Sequence, residues 1–182
     1  FVVCNGKIYF EQELEPVIRF HHDHHNLVTL VVVPHSRQDS YASVRVDDHN
    51  NITGFRPENP GNPLVFTGVH VLDPQVLEFI PEGPSETVNQ LYPRLIREGY
   101  RVQAFVSDAY WCECSSAGDY LSRSLEVLRR RNLTNLIDPE VDSSCEDVIA
   151  APSVHIDPDC VLKSSILWDD VTVGEGSTLS RV

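Results

Sequence analysis

The chain has 182 residues, enough for one ordinary domain or for one domain with a small addition. A hydrophobic content of 41% and a charged content of 23% are typical of a globular protein and exclude a disordered one. The net charge of -13 argues against a nucleic-acid binder, which would carry a basic face. No apolar run reaches membrane-spanning length and no signal peptide is visible, so we expect no membrane partner.

Two further features of the composition concern location and completeness. The five cysteines are odd in number and scattered, which predicts reduced thiols and a cytoplasmic protein. The chain contains no Met and opens at Phe1 inside a predicted strand, so we expect a segment whose natural start is missing.

The first 72 residues carry mostly strand patterns. A short apolar strand ends in the turn Asn5-Gly6, where glycine lets the backbone approach a ligand. The run from Leu27 to Val33 is continuously apolar, which predicts a strand covered on both faces, as in a parallel sheet. Gly68 lies inside another predicted strand and marks a place where something approaches the backbone. The predicted elements are strands at 2–4, 27–33 and 64–72, a helix through Leu14 and Phe20, and a hairpin of 43–46 with 52–55.

The second part of the chain alternates helices and strands. A short helix at 74–80 begins with Pro74, and a longer one at 87–98 ends at Gly99. A strand at 102–106 comes next, and a helix follows from Tyr120 to Arg131.

Glu113 lies where that strand region gives way to the last helix. Ser115, Ser116 and Asp119 offer N-cap oxygens there. Ligands of open α/β sheets bind outside the carboxyl ends of strands, so Glu113 beside Trp111 is a candidate metal ligand. The stretch by itself favours the alternative, in which Glu113 is a solvated loop acid and Trp111 a core residue.

A six-residue apolar period begins near the end of the chain. Intervals of five or six separate Ile156, Leu162, Leu167, Val173 and Leu179. This period fits neither a helix nor an ordinary strand, and it is typical of a hexapeptide β-helix. Such a coil needs neighbours that bury its ends.

A histidine run and a cysteine pair also contain residue types that bind metals. Adjacent residues of the His21-His22-Asp23-His24-His25 run point in different directions on a helix, which favours solvent-exposed histidines. Cys112 and Cys114 lack a second ligand pair at zinc-finger spacing, which favours packing cysteines.

The order of these pieces resembles that of the sugar-nucleotide pyrophosphorylases, which make GDP-mannose, ADP-glucose, UDP-glucose or dTDP-glucose. The resemblance covers essentially the whole chain. It rests on the Asn5-Gly6 turn, Gly54-Phe55-Arg56-Pro57-Glu58-Asn59-Pro60, Phe66-Thr67-Gly68, Tyr110-Trp111 and the hexapeptides. It implies a partial Rossmann-like α/β nucleotidyltransferase domain at 1–131 that lacks its N-terminal nucleotide-binding part. A linker at 132–148 and a short left-handed β-helix at 149–182 would follow.

The resemblance also implies an activity. The family joins a sugar 1-phosphate to a nucleoside triphosphate and releases pyrophosphate, with Mg²⁺ and basic residues neutralising charge. It further implies a homo-oligomer, because β-helix ends commonly pack on other subunits in this family. The substrate-binding residues that match the family's motifs are Asn5, Gly6, Ala42, Glu58, Asn59, Thr67, Gly68 and Trp111.

Departures from the family pattern concern the catalytic positions. Lys7 stands where the family has one metal aspartate, and Glu113 stands where it has the second. Both are therefore catalytic candidates, and Glu113 is the remaining Mg²⁺ ligand. Asn59 replaces a lysine of the sugar motif, and Ala42 replaces a glycine.

Two rival hypotheses follow. Lys7 removes a carboxylate and adds a cation, which favours a non-catalytic or regulatory relative that binds a sugar nucleotide without turnover. An acyltransferase built on the hexapeptides ranks low, because no histidine follows His155 in the repeats.

Overall fold

The structure is a computed structural model, and it describes residues 1–34, 43–55, 64–138 and 143–182. Within these residues the chain forms two compact units, Phe1–Cys112 and Glu113–Val182. No helix in the described ranges has the length and apolar character needed to cross a membrane.

The first unit is built mainly from strands, as its sequence predicts. Its strands are β1 (Val2–Cys4), β2 (Ile8–Phe10), β3 (Val28–Pro34), β4 (Ser43–Val46), β5 (Ile52–Phe55), β6 (Leu64–Leu72), β7 (Val102–Val106) and β8 (Trp111–Glu113), the last ending one residue beyond the unit. Its helices are α1 (Leu14–Asp23) and α2 (Tyr92–Arg97), with a 3₁₀ turn at Pro74–Phe79 and a π turn at Thr87–Leu91.

The predicted helix at 87–98 is not uniform. Its first part is a π turn in which Leu91 N donates to Glu86 O at 3.0 Å, five residues back. Pro93 at the start of α2 has no N–H to donate, which disfavours regular α-helical bonding there. Gly99 has a φ of 82°, and the helix ends just before it, as predicted.

The main sheet has the order β5-β4-β6-β3-β7, with β1 also paired to β6. β3 runs parallel to β7 and antiparallel to β6, so the sheet is mixed. β1 and β4 pair with opposite ends of the same edge of β6. The prediction that β3 is covered on both faces is confirmed, because every residue from Val28 to Val33 is buried.

Helices cover the two faces of this sheet. Val28, Leu30 and Val32 of β3 pack with Tyr92 and Leu95 of α2 in one core cluster. The alternate residue Val31 packs with Val17 of α1 on the other face. Alternation along a central strand thus gives a three-layer α/β arrangement.

The second unit combines one helix with short parallel strands. Its elements are α3 (Ala117–Arg130), β9 (Asn135–Leu136), β10 (Ser144–Ala150), β11 (His155–Ile156), β12 (Val161–Leu167), β13 (Thr172–Val173) and β14 (Thr178–Ser180). The Oγ of Ser116 caps α3 by accepting from Asp119 N at 3.1 Å.

The strands of the second unit stack at a fixed interval. Ser144 pairs with Val161, and Val161 pairs with Thr178, each partner being 17 residues further along. His155 and Thr172 pair at the same interval. Leu162, Leu167 and Val173 from the six-residue pattern are buried in the core of this coil. The handedness of the coil stays a prediction.

Part of the predicted linker at 132–148 is ordered by this stacking. Asn135 Oδ1 accepts from Val148 N at 2.9 Å, and Asn135 Nδ2 donates to Cys145 O at 3.0 Å. These bonds join β9 to β10, so both strands lie partly or wholly within 132–148. Local periodicity does not reveal them, because the bonded partners lie 10 and 13 residues apart in the sequence.

Candidate functional site

Asn5 and Gly68 lie directly against each other in the first unit. Asn5 N donates to Gly68 O at 2.9 Å, at the end of the β1–β6 pairing. A Cβ added to Gly68 would lie 2.5 Å from Asn5 Nδ2, and Gly68 has a φ of 86°. Only glycine fits this conformation and this space. The group that approaches the backbone at Gly68 is therefore the Asn5 side chain.

Trp111 holds Thr67, the residue before Gly68 in β6, through a hydrogen bond. Its Nε1 donates to Thr67 O at 2.8 Å, and its side chain is 7% exposed. Thr67 Oγ1 donates to Val31 O at 2.9 Å and accepts from Val69 N, so the hydroxyl is committed inside the sheet. Thr67 therefore contacts Trp111 through its backbone carbonyl and not through its hydroxyl group. The structure brings Asn5, Gly68, Thr67 and Trp111 together.

The turn between β1 and β2 carries Gly6 and Lys7. Both residues are exposed, as is Asn5 before them. Gly6 has open space where a Cβ would lie, so neither packing nor a positive φ demands a glycine there. Lys7 therefore lies in an exposed turn, two residues after Asn5 in the sequence.

Glu113 begins the second unit, directly after Trp111 and Cys112. It is partly exposed, and its Oε1 accepts from Ser115 Oγ at 2.8 Å. The Ser115 bond holds the carboxylate beside the N-terminus of α3.

The remaining predicted residues lie outside the described residues. They are Ala42, Glu58 and Asn59. Their roles stay predictions from the family resemblance.

The described residues hold no dedicated metal cage. The resemblance places Lys7 and Glu113 at the family's two carboxylate positions, and these placements stay predictions. No group of three or more His, Cys, Asp or Glu side chains in residues 1–34, 43–55, 64–138 and 143–182 is arranged to hold a metal. Mg²⁺ is usually held by one or two carboxylates together with waters and substrate phosphates, so it does not need such a group. Mg²⁺ bound through Glu113 therefore stays a prediction from the resemblance.

The histidine run differs from its prediction at one position. His22, His24 and His25 are exposed, but His21 is buried, with Nδ1 at 3.0 Å from Thr29 Oγ1. His21 lies on the face of α1 that turns toward the sheet, which its polar neighbours conceal in the sequence. All five cysteines are free thiols, and Cys112 is buried.

The sequence analysis also missed a buried histidine–tyrosine pair. His70 of β6 hydrogen-bonds Tyr92 of α2 through Nδ1 and the phenol oxygen. Burial lowers the pKa of His70 to about 4 and raises that of Tyr92. The only available signal was a histidine inside an otherwise apolar strand.

Comparison with known proteins relates the chain to one family. The family model described as nucleotidyl transferase matches residues 1–130. A UTP--glucose-1-phosphate uridylyltransferase of Synechocystis sp. is 27% identical over 71% of this chain and 35% of its own length. A probable mannose-1-phosphate guanylyltransferase of Arabidopsis thaliana is 24% identical over 100% of this chain and 54% of its own length.

Further matches agree with this placement. A glucose-1-phosphate adenylyltransferase of Desulfitobacterium hafniense is 22% identical over 99% of this chain and 52% of its own length. The chain therefore spans about half the length of these relatives, or less. The crystal structure of HddC from Yersinia pseudotuberculosis shares the fold, with a TM-score of 0.59 and 20% identity over 70% of this chain and 55% of that one. Because the family model matches most of the chain and the α/β fold agrees with it, the chain belongs to the nucleotidyl transferase family.

Proposed function

We propose that the chain is part of a sugar-1-phosphate nucleotidyltransferase, which forms a nucleotide sugar and pyrophosphate. The observation that carries the proposal is the match of residues 1–130 to the family model. The contact of Asn5 with Gly68, beside Thr67 and Trp111, supports it, because the resemblance makes these four residues candidate substrate-binding residues. The products proposed are GDP-mannose or the ADP-, UDP- or dTDP-linked glucose.

In the proposed reaction, a phosphate oxygen of the sugar 1-phosphate attacks the α-phosphorus of the nucleoside triphosphate. The bond from the α-phosphorus to the bridging oxygen breaks, and pyrophosphate leaves. The Lys7 ammonium offsets negative charge on the phosphates, and the Asn5 amide orients a sugar hydroxyl. The Trp111 bond to Thr67 O keeps the strand beneath the substrate rigid.

Three further proposals extend the family resemblance. The stacked coil of the second unit is a left-handed β-helix. The protein acts in the cytoplasm, and it assembles into homo-oligomers.

The test is an assay of pyrophosphate release on the protein at its natural length. GTP is paired with mannose 1-phosphate, and ATP, UTP and dTTP are each paired with glucose 1-phosphate. We expect one pair to turn over and Lys7→Ala to reduce kcat/KM by about 100-fold, as expected for loss of a charge-stabilising group. Lys163→Ala, which removes an exposed lysine of the second unit, is the matched control and leaves turnover unchanged.

A second candidate is a regulatory relative that binds a nucleotide sugar without turnover. Lys7, which by the family resemblance stands in place of a metal aspartate, favours it. In that case calorimetry detects binding of a nucleotide sugar that is independent of Mg²⁺, and no pair releases pyrophosphate. Absence of both binding and turnover would contradict both candidates.

A further inference from the structure

β6 contains a bulge where it pairs with β3. Two strand pairs flank it, Leu30 with His70 and Val32 with Phe66. One residue of β3 and three residues of β6, Thr67–Val69, lie between these pairs, so β6 has two residues that regular pairing would not include. This segment, the β6 bulge, includes Gly68 and therefore supplies strand backbone to the candidate substrate site.

Two rings meet across the β6 bulge on the face that packs against α2. Phe66 and His70 stand at its two ends, with ring centroids 5.5 Å apart and an interplanar angle of 68°. Side chains four residues apart in a regular strand emerge about 13 Å from each other. The bulge thus bends β6 until its two ends touch, so the position of His70 is coupled to the shape of the segment between them.

A buried hydrogen bond connects one end of the β6 bulge to α2. His70 is buried, and its Nδ1 bonds the phenol oxygen of Tyr92, whose side chain is fully buried. Tyr92 also stacks with Phe55 of β5, with ring centroids 6.3 Å apart. Apolar contacts in this core are non-directional, whereas a hydrogen bond constrains both distance and angle. The bond therefore specifies where His70 lies relative to α2.

The other end of the β6 bulge is held from the opposite face of the sheet. Thr67 Oγ1 donates to Val31 O at 2.9 Å and accepts from Val69 N at 3.2 Å. Trp111 Nε1 donates to Thr67 O at 2.8 Å. These bonds fix the start of the bulge, and the imidazole bond to α2 fixes its end.

We propose that His70 and Tyr92 are positioning residues for the candidate substrate site. Their hydrogen bond holds the β6 bulge in the conformation that places the Gly68 backbone against Asn5. Both side chains are buried, so they act through the strand and not by contact with the substrate. Bulges are frequent next to active sites, where they redirect the groups that bind substrate. The effect on substrate rests on the proposed nucleotidyltransferase activity, whereas the effect on the bulge does not.

Amide hydrogen exchange of the 182-residue chain, followed by NMR, measures how firmly the β6 bulge is held. The double variant His70→Leu/Tyr92→Phe removes the bond without leaving an unpaired buried group, which keeps the loss of overall stability small. We expect exchange at Val69 N and Asn5 N to accelerate at least about tenfold more than at Ala104 N, which lies in β7 away from the bulge. Equal acceleration at the three amides, or none, would overturn the proposal.

Control variants separate this bond from other losses. His70→Gln keeps a donor and an acceptor that can bond the phenol, and we expect exchange in the bulge to stay close to that of the unsubstituted chain. Thr87→Val removes another hydrogen-bond partner of the Tyr92 hydroxyl and should also leave the bulge unchanged. Circular dichroism establishes that each variant is folded, and Tyr92→Phe alone replaces the double variant if that one unfolds. Acceleration by Thr87→Val as large as that of the double variant would contradict the role of His70.

Kinetics of the protein at its natural length test the effect on substrate. We expect the double variant to raise KM for the sugar 1-phosphate at least about tenfold, with kcat and the KM for the nucleoside triphosphate little changed, because the bulge contributes to binding in both the ground and transition states. A lower kcat with both KM values unchanged would indicate loss of folded enzyme and contradict the positioning role. If no substrate pair turns over in the unsubstituted protein, the proposed function fails, and the exchange experiment still decides whether the bond holds the bulge.

Discussion

Gly68 has a left-handed backbone conformation, with a φ of 86°, in the middle of β6. The side chain of Asn5 occupies the space that a Cβ at this position would need. The glycine within a strand pattern predicts a close approach to the backbone. The identity of the approaching group depends on the pairing of β1 with β6, which joins residues more than 60 positions apart.

We expect Gly68→Ala to destabilise the first unit by about 2–4 kcal/mol. A left-handed φ costs a residue with a Cβ about 1–2 kcal/mol, and displacement of Asn5 adds to this cost. Urea unfolding followed by circular dichroism measures the change.

Gly83→Ala is the matched control for Gly68→Ala. Gly83 has a φ of 89°, but nothing lies within 4 Å of its Cβ position, so its substitution reports backbone strain alone. In an Asn5→Gly background, the cost of Gly68→Ala falls to that of Gly83→Ala. An equal cost in both backgrounds would show that Asn5 is not the obstacle.

At the level of elements, His70 and Tyr92 connect β6 to α2 through a buried hydrogen bond. Burial raises the pKa of Tyr92, so the phenol is protonated, and it bonds the neutral ring of His70 at Nδ1. Protonation of His70 would bury a charge between β6 and α2. Burial accordingly lowers the pKa of His70 to about 4.

We expect the free energy of unfolding to fall by about 3 kcal/mol as the pH is lowered from about 6.5 to 4. The folded state disfavours protonation of His70, so the unfolded chain binds more protons in this range and stability rises with pH. The lowered pKa of His21 acts in the same direction. Urea unfolding at several pH values between 4 and 8 measures this slope.

His70→Gln removes the titrating group, and we expect it to flatten the slope. His49→Gln changes an exposed histidine and serves as the control that keeps the slope. An unchanged slope in His70→Gln would exclude His70 as its source.

Over the whole molecule, the chain divides into two units with separate cores. Leu95 lies in the core of the first unit, and Leu162 lies in that of the second, both fully buried. In the sequence, apolar residues at helical and strand spacing indicate the first core, and the six-residue apolar period indicates the second. The division after Cys112 is not visible there, because α3 packs with β10 and β12 of the second unit.

We expect Leu162→Ala to loosen the second unit selectively. Removing a buried leucine side chain costs about 2–5 kcal/mol. Hydrogen exchange followed by mass spectrometry should show exchange at least about tenfold faster in β10, β12 and β14, with β3 and β6 little changed. Leu95→Ala is the mirror control and should affect β3 and β7. Equal acceleration in both units by either variant would mean that they unfold as one.

The sequence by itself determined most elements of the fold, because apolar periodicity and turn residues act over short distances. It indicated β3 as a doubly covered strand, Ser116 as a helix cap, and the six-residue apolar period to which the buried residues Leu162 and Val173 belong. It also determined the family resemblance, which depends on the order of short motifs such as Asn5-Gly6 and Thr67-Gly68.

Tertiary structure alone decided which of these residues meet. Asn5 covers Gly68, Trp111 holds the Thr67 carbonyl, and His21 turns inward to share Thr29 with Asn26. The three contacts depend on strand pairing or on the rotation of a helix against the sheet. Side-chain identity specifies what a residue can bond, but long-range packing selects its partner from many of the same chemistry.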